Sequence, residues 1–491
     1  MALRTTDGAH SVSDRHDADG SDRETRPTLA ELSFGAVTVG VFVMFFSMVL
    51  IARQPLGDPD TWWHLVMGHA YLDGASVRHP GPMSPLGTED WRSRDWVSQI
   101  VMARADDAFG LPGVAWLHGL TLVGLFIAIF RLCRRLAPLG PAVVATGLTF
   151  FSMIGSLSPR PQVVSFILLV VLVGALLRTT EDLRPRWWLA VLTGLWACVH
   201  GMWFVSPGLQ LVVVAGLLMD RRLNLRSLRP HAALLGLSVG AVALTPNGVH
   251  LLTHPTGPSM GIAHYIQEYE PTALSFPPYA AALAMAFVIC ATWARRGGGS
   301  WVAVLSVGLG TFLLLYGGRT IPLGAILLAP FFVRALHAWW PRTRAFVPLA
   351  AERVVVYGSA LAALVALAIM VPSSAAAPDD YFPVSYDQQL AAIPDDAVLM
   401  NELGDGGYLV WKYPGLRVVG DGLTDQYSVE WLEGWFKALL AEPGWQEFVE
   451  RSGADHALLY VETPLRLGLV SLGWTVEQQD QDRVLLKAPG L

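Results

Sequence analysis

GDPDTWWHLVMGHAYLDGASVRHPGPMSPLGTEDWRSRDW, residues 57–96, follows directly on the first long apolar run of the chain. Within Gly57–His64 stand two carboxylates (Asp58, Asp60), two indoles (Trp62, Trp63) and an imidazole (His64). Pro59 restricts Asp58 to extended backbone, and Asp60 is placed to cap a short helix running to Ala70. That helix puts Asp60 and His64 on one face, four residues apart. Trp62, Trp63, Leu65 and Val66 give it an apolar side of the kind found at a membrane–water boundary. Carboxylates held there read in two ways: a capped interfacial helix with solvated acids, or the acid–base centre of a site.

The membrane follows from the rest of the chain. Of 491 residues, 53% are hydrophobic and 15% charged, against roughly 25% charged in ordinary soluble chains, and the mean hydropathy is +0.43. Apolar runs near spanning length recur at 32–51, 113–131, 139–157, 162–178, 187–205, 207–219, 231–245, 277–294, 300–316, 320–337 and 352–371. They predict a bundle of about eleven transmembrane helices. Several runs fall short of ~20 residues, so one or two are candidates for re-entrant or broken segments. Residues 1–31 are polar and aperiodic, which predicts a disordered cytoplasmic tail. No cleavable signal precedes the first run, so it serves as an uncleaved anchor. The net charge is −6 and the basic residues sit in short loops, which excludes a nucleic-acid footprint.

Loop arginines set the orientation. Arg131, Arg134 and Arg135; Arg178, Arg184 and Arg186; Arg221, Arg222, Arg226 and Arg229; Arg295 and Arg296; and Arg342, Arg344 and Arg353 fall in alternate loops, which are therefore cytoplasmic. The opposite loops (53–112, 158–161, the turn near Ser206, 246–276 and 317–319) face out, with everything after Val371. The 57–96 stretch and residues 372–491 thus share the outer side of the plasma membrane.

Residues 372–378 read as a linker to an extracytoplasmic α/β domain ending the chain. Its predicted strands are Ala397–Asn401, Leu416–Gly420, Ala457–Glu462 and Val484–Lys487; its predicted helices are Tyr386–Ile393, Ser428–Ala441, Trp445–Ser452 and Pro464–Leu472. GDGGYLVW (404–411) lacks the lysine of a phosphate loop and reads as a turn before a helix start. The domain holds no cysteine, so disulfides have no part in its stability.

Arg160, in SPRPQ, and Arg319, in GGRTIP, lie in very short outer loops. An arginine at membrane depth needs a partner: lipid phosphate reached by snorkelling, or a ligand phosphate gripped by the planar guanidinium fork. His200 lies near the outer end of its span. His250, His254, His264, Glu268 and Glu270 crowd the 246–276 loop, yet no ligand set for a metal can be assigned; no cofactor is predicted, with a divalent metal left open.

DPDTWWHL (58–65), EDWRSRDW (89–96), SPRPQ (158–162), VHGMWF (199–204), TPNG (245–248), QEYEP (267–271), GGRTIP (317–322), GGYLVW (406–411) and GDGLTDQY (420–427) occur in an order that resembles a family of bacterial multi-pass membrane proteins related to the GT-C glycosyltransferases. Two positions depart from that pattern. The family's Asn-Pro-x-Gly is TPNG here, and its Asp-Gly-Arg-x-Asp has Leu423 in place of arginine, which weakens a role for the C-terminal domain in gripping an anion. The resemblance implies a GT-C-like bundle that transfers a sugar from a polyprenyl-phosphate donor to an envelope glycan, lipid or protein acceptor. It implies an acid after the first span as base, here Asp58 or Asp60; with Asp60 as the cap, Asp58 is the stronger candidate. Arg160 and Arg319 would steady the phosphate, Trp62, Trp63 and Trp91 would stack on sugars, and His64, His200 and Glu268 would line the cavity. Two other classes use the same outer cavity: a transporter or lipid-handling protein, and a non-catalytic scaffold of envelope assembly. A missing glycan in a knockout separates them from the enzyme.

Overall fold

The computed structural model describes residues 29–87, 91–253, 261–340, 349–373, 375–376, 378 and 381–490. The predicted tail up to residue 28, His254, Arg342 and Arg344 lie outside them. Up to residue 373 the described chain is helical: α1 (Leu29–Ala52), α2 (Pro59–Leu72), α3 (Trp96–Phe109), α4 (Leu111–Leu136), α5 (Leu139–Ser152), α6 (Gln162–Asp182), α7 (Trp188–Val199), α8 (Val205–Met219), α9 (Leu225–Ala243), α10 (His250–Thr253), α11 (Pro277–Arg296), α12 (Trp301–Tyr316), α13 (Ile321–Trp339) and α14 (Leu349–Met370).

A helix stands at each predicted apolar run, but they are not equivalent. Among the described residues, six helical stretches are long and apolar enough to cross a membrane: Leu111–Leu136, Gln162–Asp182, Gly201–Met219, Pro277–Arg296, Gly318–Trp339 and Ala350–Ser373. Four more apolar helices are shorter, Val37–Ala52, α5, α7 and α12. The remaining helix, α9, opens with Arg226, Arg229 and Pro230. The turn expected near Ser206 falls inside α8, where Pro207 sits in the first turn and needs no N–H partner. The chain breaks instead at His200, whose extended φ of −167° ends α7 before a single 3-10 turn.

Buried faces of α4 and α13 line the middle of the bundle. A Cβ on Gly324 would lie 2.6 Å from the Gly310 carbonyl, so glycine is what lets α12 and α13 meet backbone to backbone. The loops sort to two ends. At one, Arg134 grips Glu352 through two bonds of 2.8 and 2.9 Å, and Arg135 meets Glu181 at 2.8 Å. At the other, Arg78 Nε donates to Pro246 O at 2.6 Å, Asn247 Nδ2 to Ser93 O, and the Gly318 amide to Glu270 O at 3.0 Å. Arginine-rich loops thus contact one another, and arginine-poor loops contact one another.

The C-terminal part covers that second end. After α15 (Asp387–Leu390) come β1 (Val398–Asn401), α16 (Leu403–Lys412), β2 (Arg417–Val418), α17 (Val429–Leu439), α18 (Trp445–Ser452), β3 (His456–Tyr460), α19 (Pro464–Ser471), β4 (Thr475–Gln479) and β5 (Arg483–Lys487). The sheet runs β2-β1-β3-β5-β4, with β1 parallel to β2 and β3, and β5 antiparallel to β3 and β4. Edge strand β4 was not foreseen, because TVEQQ is almost wholly exposed and carries no alternating pattern. GDGGYLVW, expected as a turn before a helix start, lies wholly within helix α16, so the helix is there and the turn is not. Its glycines mark close approach: a Cβ on Gly406 would meet Gly420 O at 2.3 Å, and one on Gly407 would meet Pro59 O at 2.7 Å. A buried ion pair, Asp405–Arg483 at 2.9 Å, ties α16 to β5.

Candidate active site

The site is built on the first turn of α2. Asp58, not Asp60, is the N-cap: with φ −84° and ψ 120°, its Oδ1 accepts from the Asp60 amide at 2.9 Å. Pro59 then takes the first helical position, where its fixed φ fits and its missing N–H costs nothing. This shift frees Asp60. The tight SPRP loop delivers Arg160, whose Nε donates to Asp58 Oδ1 and Oδ2 at 2.8 and 2.6 Å. Nη1 of the same guanidinium lies 3.1 Å from Asp60 Oδ2 and 3.0 Å from Glu268 Oε1. The other oxygen of Asp60 accepts from Trp63 Nε1 at 3.1 Å.

Three carboxylates thus surround one guanidinium, which leaves two net negative charges. They differ in access: the side chains of Asp58, Asp60 and Glu268 are 7%, 26% and 45% exposed. Burial opposes the charge of Arg160, but Asp60, Asp58 and Glu268 outweigh it and hold its proton more tightly than usual. Arg160 thus has its Nε and Nη1 engaged by carboxylates. Arg319 is placed differently. Its Nη1 donates to the Tyr269 hydroxyl at 2.9 Å, and the guanidinium stands 5.4 Å from that ring's centre. Among the described residues it has no carboxylate partner within 4.0 Å.

Both histidines are buried and neutral. His64 Nδ1 meets Gln99 Nε2 at 3.1 Å, and burial, reinforced by Arg160, drives its pKa down to about 3. His200 is likewise driven to about 3, by burial and then by Arg319. Two carboxylates behave in the opposite way, and sequence reasoning passed over both. Asp95 accepts from the Gly201 amide at 3.2 Å and is raised to about 7 by burial. Asp421 accepts from Leu423 N at 2.8 Å and Tyr427 Oη at 3.1 Å, and burial, with Asp60 nearby, lifts it to about 7 as well. Arg94 reaches Asp425 at 3.6 Å. All lie in the quoted motifs EDWRSRDW and GDGLTDQY, but nothing in the sequence showed that these would meet the DPD segment.

The three tryptophans do not offer sugar-stacking faces. Trp62 is fully buried, with Phe382 and Tyr408 at 5.5 Å and Trp411 at 4.6 Å between ring centres. Trp63 and Trp91 are buried with Met67, Tyr71 and Leu423, and Trp91 Nε1 donates to Gly81 O at 2.9 Å. Helix α2 is covered by the C-terminal part instead of lying open at the boundary, so its indoles became an interface between the two parts. That cover reaches Asp60 itself: a Cβ on Gly422 would lie 2.8 Å from Asp60 Oδ1. Among the described residues no three His, Cys, Asp or Glu side chains are grouped to hold a metal.

No family model matches the chain, and no curated protein does. Solved structures do. An archaeal oligosaccharyltransferase, AglB from Archaeoglobus fulgidus in complex with an inhibitory peptide and a dolichol-phosphate, matches 89% of this chain and 72% of its own, with a TM-score of 0.55 at 12% identity. ArnT from Cupriavidus metallidurans bound to undecaprenyl phosphate matches 93% of this chain and 97% of its own, with a TM-score of 0.50 at 14% identity. Its apo state gives 0.52 at 14% identity. The fold is that of the GT-C glycosyltransferases, and the protein is a multi-pass membrane protein.

Proposed function

We propose that this chain is a membrane glycosyltransferase that moves a sugar from a polyprenyl-phosphate donor to a hydroxyl acceptor on the outer face of the plasma membrane. The observation that carries this reading is the Asp58–Asp60–Arg160–Glu268 cluster gathered at the first turn of α2, at the end of the bundle remote from the arginine-rich loops. By the positive-inside rule that end faces out, and residues 372–491 with it. Nucleotide sugars are scarce there, so the donor is lipid-carried, as the prenyl phosphates of the two structural neighbours suggest.

Asp60 is the general base in this reading. Asp58 caps α2, is nearly closed off and is doubly bonded to Arg160, whereas Asp60 keeps an exposed edge. The acceptor hydroxyl gives its proton to Asp60, its oxygen bonds to the anomeric carbon with inversion, and the bond to the carrier phosphate breaks with its electron pair going to phosphate. Arg319, backed by Tyr269, meets the charge on the leaving phosphate. Arg160 holds the acidic pair in place.

Deletion of the gene, followed by mass spectrometry of envelope glycans and polyprenyl-linked lipids, tests the proposal. A single missing sugar with an accumulated carrier-linked donor supports it; unchanged glycans and lipids point to a scaffold.

A further inference from the structure

Beside the acidic cluster the bundle opens into a cavity of about 230 Å³ between α3, α4, α6 and the end of α7. Val97, Val101, Met102, Val114, Leu117 and Val164 make most of its wall, and Pro159 and Arg160 close one end. Two hydroxyls in the wall are already engaged with backbone: Ser98 Oγ donates to Val199 O at 2.8 Å and Thr121 Oγ1 to His118 O at 2.7 Å. A guest along this wall finds chiefly apolar contact, which suits a hydrocarbon chain. Val101 in this wall is 47% exposed.

Charge decides which chain it is. The end nearest the site is the cluster of Asp58, Asp60 and Glu268 around Arg160, with two negative charges in excess. A phosphate placed there would meet anions and an arginine already engaged by them. Of the cluster Arg160 alone belongs to the cavity wall, and its three carboxylates stand just beyond it, within 3.1 Å of Arg160 nitrogens; Arg319, on Tyr269, is not in the wall. An uncharged hydroxyl has the opposite preference, because it can donate to the exposed edge of Asp60.

We propose that this groove holds the hydrocarbon chain of a neutral lipid alcohol and presents its hydroxyl to Asp60. The role of that hydroxyl as acceptor rests on the transferase reading; the binding itself does not. The inference narrows the acceptor from glycan, lipid or protein to a lipid with an uncharged, hydroxyl-bearing head.

The test uses the full chain in lipid nanodiscs with two photoactivatable probes, a diacylglycerol and a prenyl phosphate, each carrying a diazirine in its chain. Cross-linked peptides are mapped by mass spectrometry. Diacylglycerol is expected to label Trp96–Phe109 and Leu111–Leu136, and Val101→Trp to reduce that labelling about tenfold, as a filled apolar pocket does. Prenyl phosphate labelling is expected elsewhere and unchanged in the variant, which shows that the variant is folded. Val164→Phe repeats the test from the facing helix should Val101→Trp fail to fold. Prenyl phosphate labelling within the groove, or diacylglycerol labelling indifferent to both variants, overturns the proposal. Labelling as expected without any sugar transfer to a lipid alcohol would leave the groove standing and sink the transferase reading alone.

Discussion

Replacing Asp58 and Asp60 by asparagine, one at a time, separates holding from chemistry. Asparagine caps a helix as well as aspartate does, so Asp58→Asn keeps the start of α2. It gives up the doubly bonded pair with Arg160, at 2.6 and 2.8 Å with the carboxylate 7% exposed. Breaking a buried pair costs about 3–5 kcal/mol. Here Asp60 and Glu268 still neutralise Arg160, so about 1–3 kcal/mol is expected. Asp60→Asn loses one contact of 3.1 Å at a 26% exposed side chain and keeps an oxygen for Trp63, so its cost is about 1 kcal/mol or less. Activity should rank the other way. An amide takes no proton at neutral pH, so Asp60→Asn should lower turnover by about 10²-fold or more, with Asp58→Asn losing less. Melting of the purified variants and initial rates of sugar release from a labelled polyprenyl-phosphate donor measure the two orders. A folded Asp58→Asn that is slower than Asp60→Asn would refute the assignment of the base, and full activity in both would refute the mechanism.

Arg319→Lys keeps the charge but not the planar fork over Tyr269, so donor KM should rise while melting is unaffected; equal donor affinity in the wild type, Arg319→Lys and Arg319→Ala removes this residue from the phosphate site. A reporter fused after Leu491 should behave as exported and one fused after Arg296 as cytoplasmic, and the reverse result would place the site on the wrong side for a lipid-carried donor. Asp421 titrates near 7 when folded and near 3.8 when not, so the stability it contributes is complete below about pH 4 and is lost as pH rises through about 7. Asp421→Asn should therefore raise stability at pH 8 relative to pH 5, on the order of a few kcal/mol, and a pH-independent difference in melting would contradict the burial argument. Gly422→Ala places a methyl 2.8 Å from Asp60 Oδ1 and 2.9 Å from Trp63 Cδ1; transfer should fall several-fold through the displaced carboxylate, and unchanged rates would show that the cover yields.

Periodic features were legible because each depends on neighbours along the chain. The apolar runs marked the positions of the long helices, loop arginines divided the loops into two sets, and short apolar runs located β1, β2, β3 and β5. The site was legible only as a set of names. DPD, SPRP and QEYEP were each visible, but their convergence needs α2 to fold back beneath residues 404–407 and 420–423, and no local pattern encodes that. The same fold-back explains the errors. An amphipathic, tryptophan-rich helix read alone belongs at a water boundary; covered by the C-terminal part, its indoles are packing residues. A lone arginine in a short loop read alone seeks a phosphate; set among three carboxylates, it is a counter-ion.

Leu423 shows how far one substitution carries. The family pattern that the chain resembles has arginine there, and a cation at this position would sit beside Trp63, Trp91, Met67 and Tyr71, where Leu423 is 5% exposed. Burying a charge among those side chains without a partner is costly, so leucine suits a C-terminal part that closes over α2 by apolar contact. In the proposed transferase the positive charge facing the donor phosphate would then come from the bundle's own loops. Arg160 is engaged by carboxylates, and burial drives His64 and His200 down to about 3. Among the described residues Arg319, on its Tyr269 ring, is the guanidinium of the predicted set without a carboxylate partner, and the proposed grip on a donor phosphate rests on it.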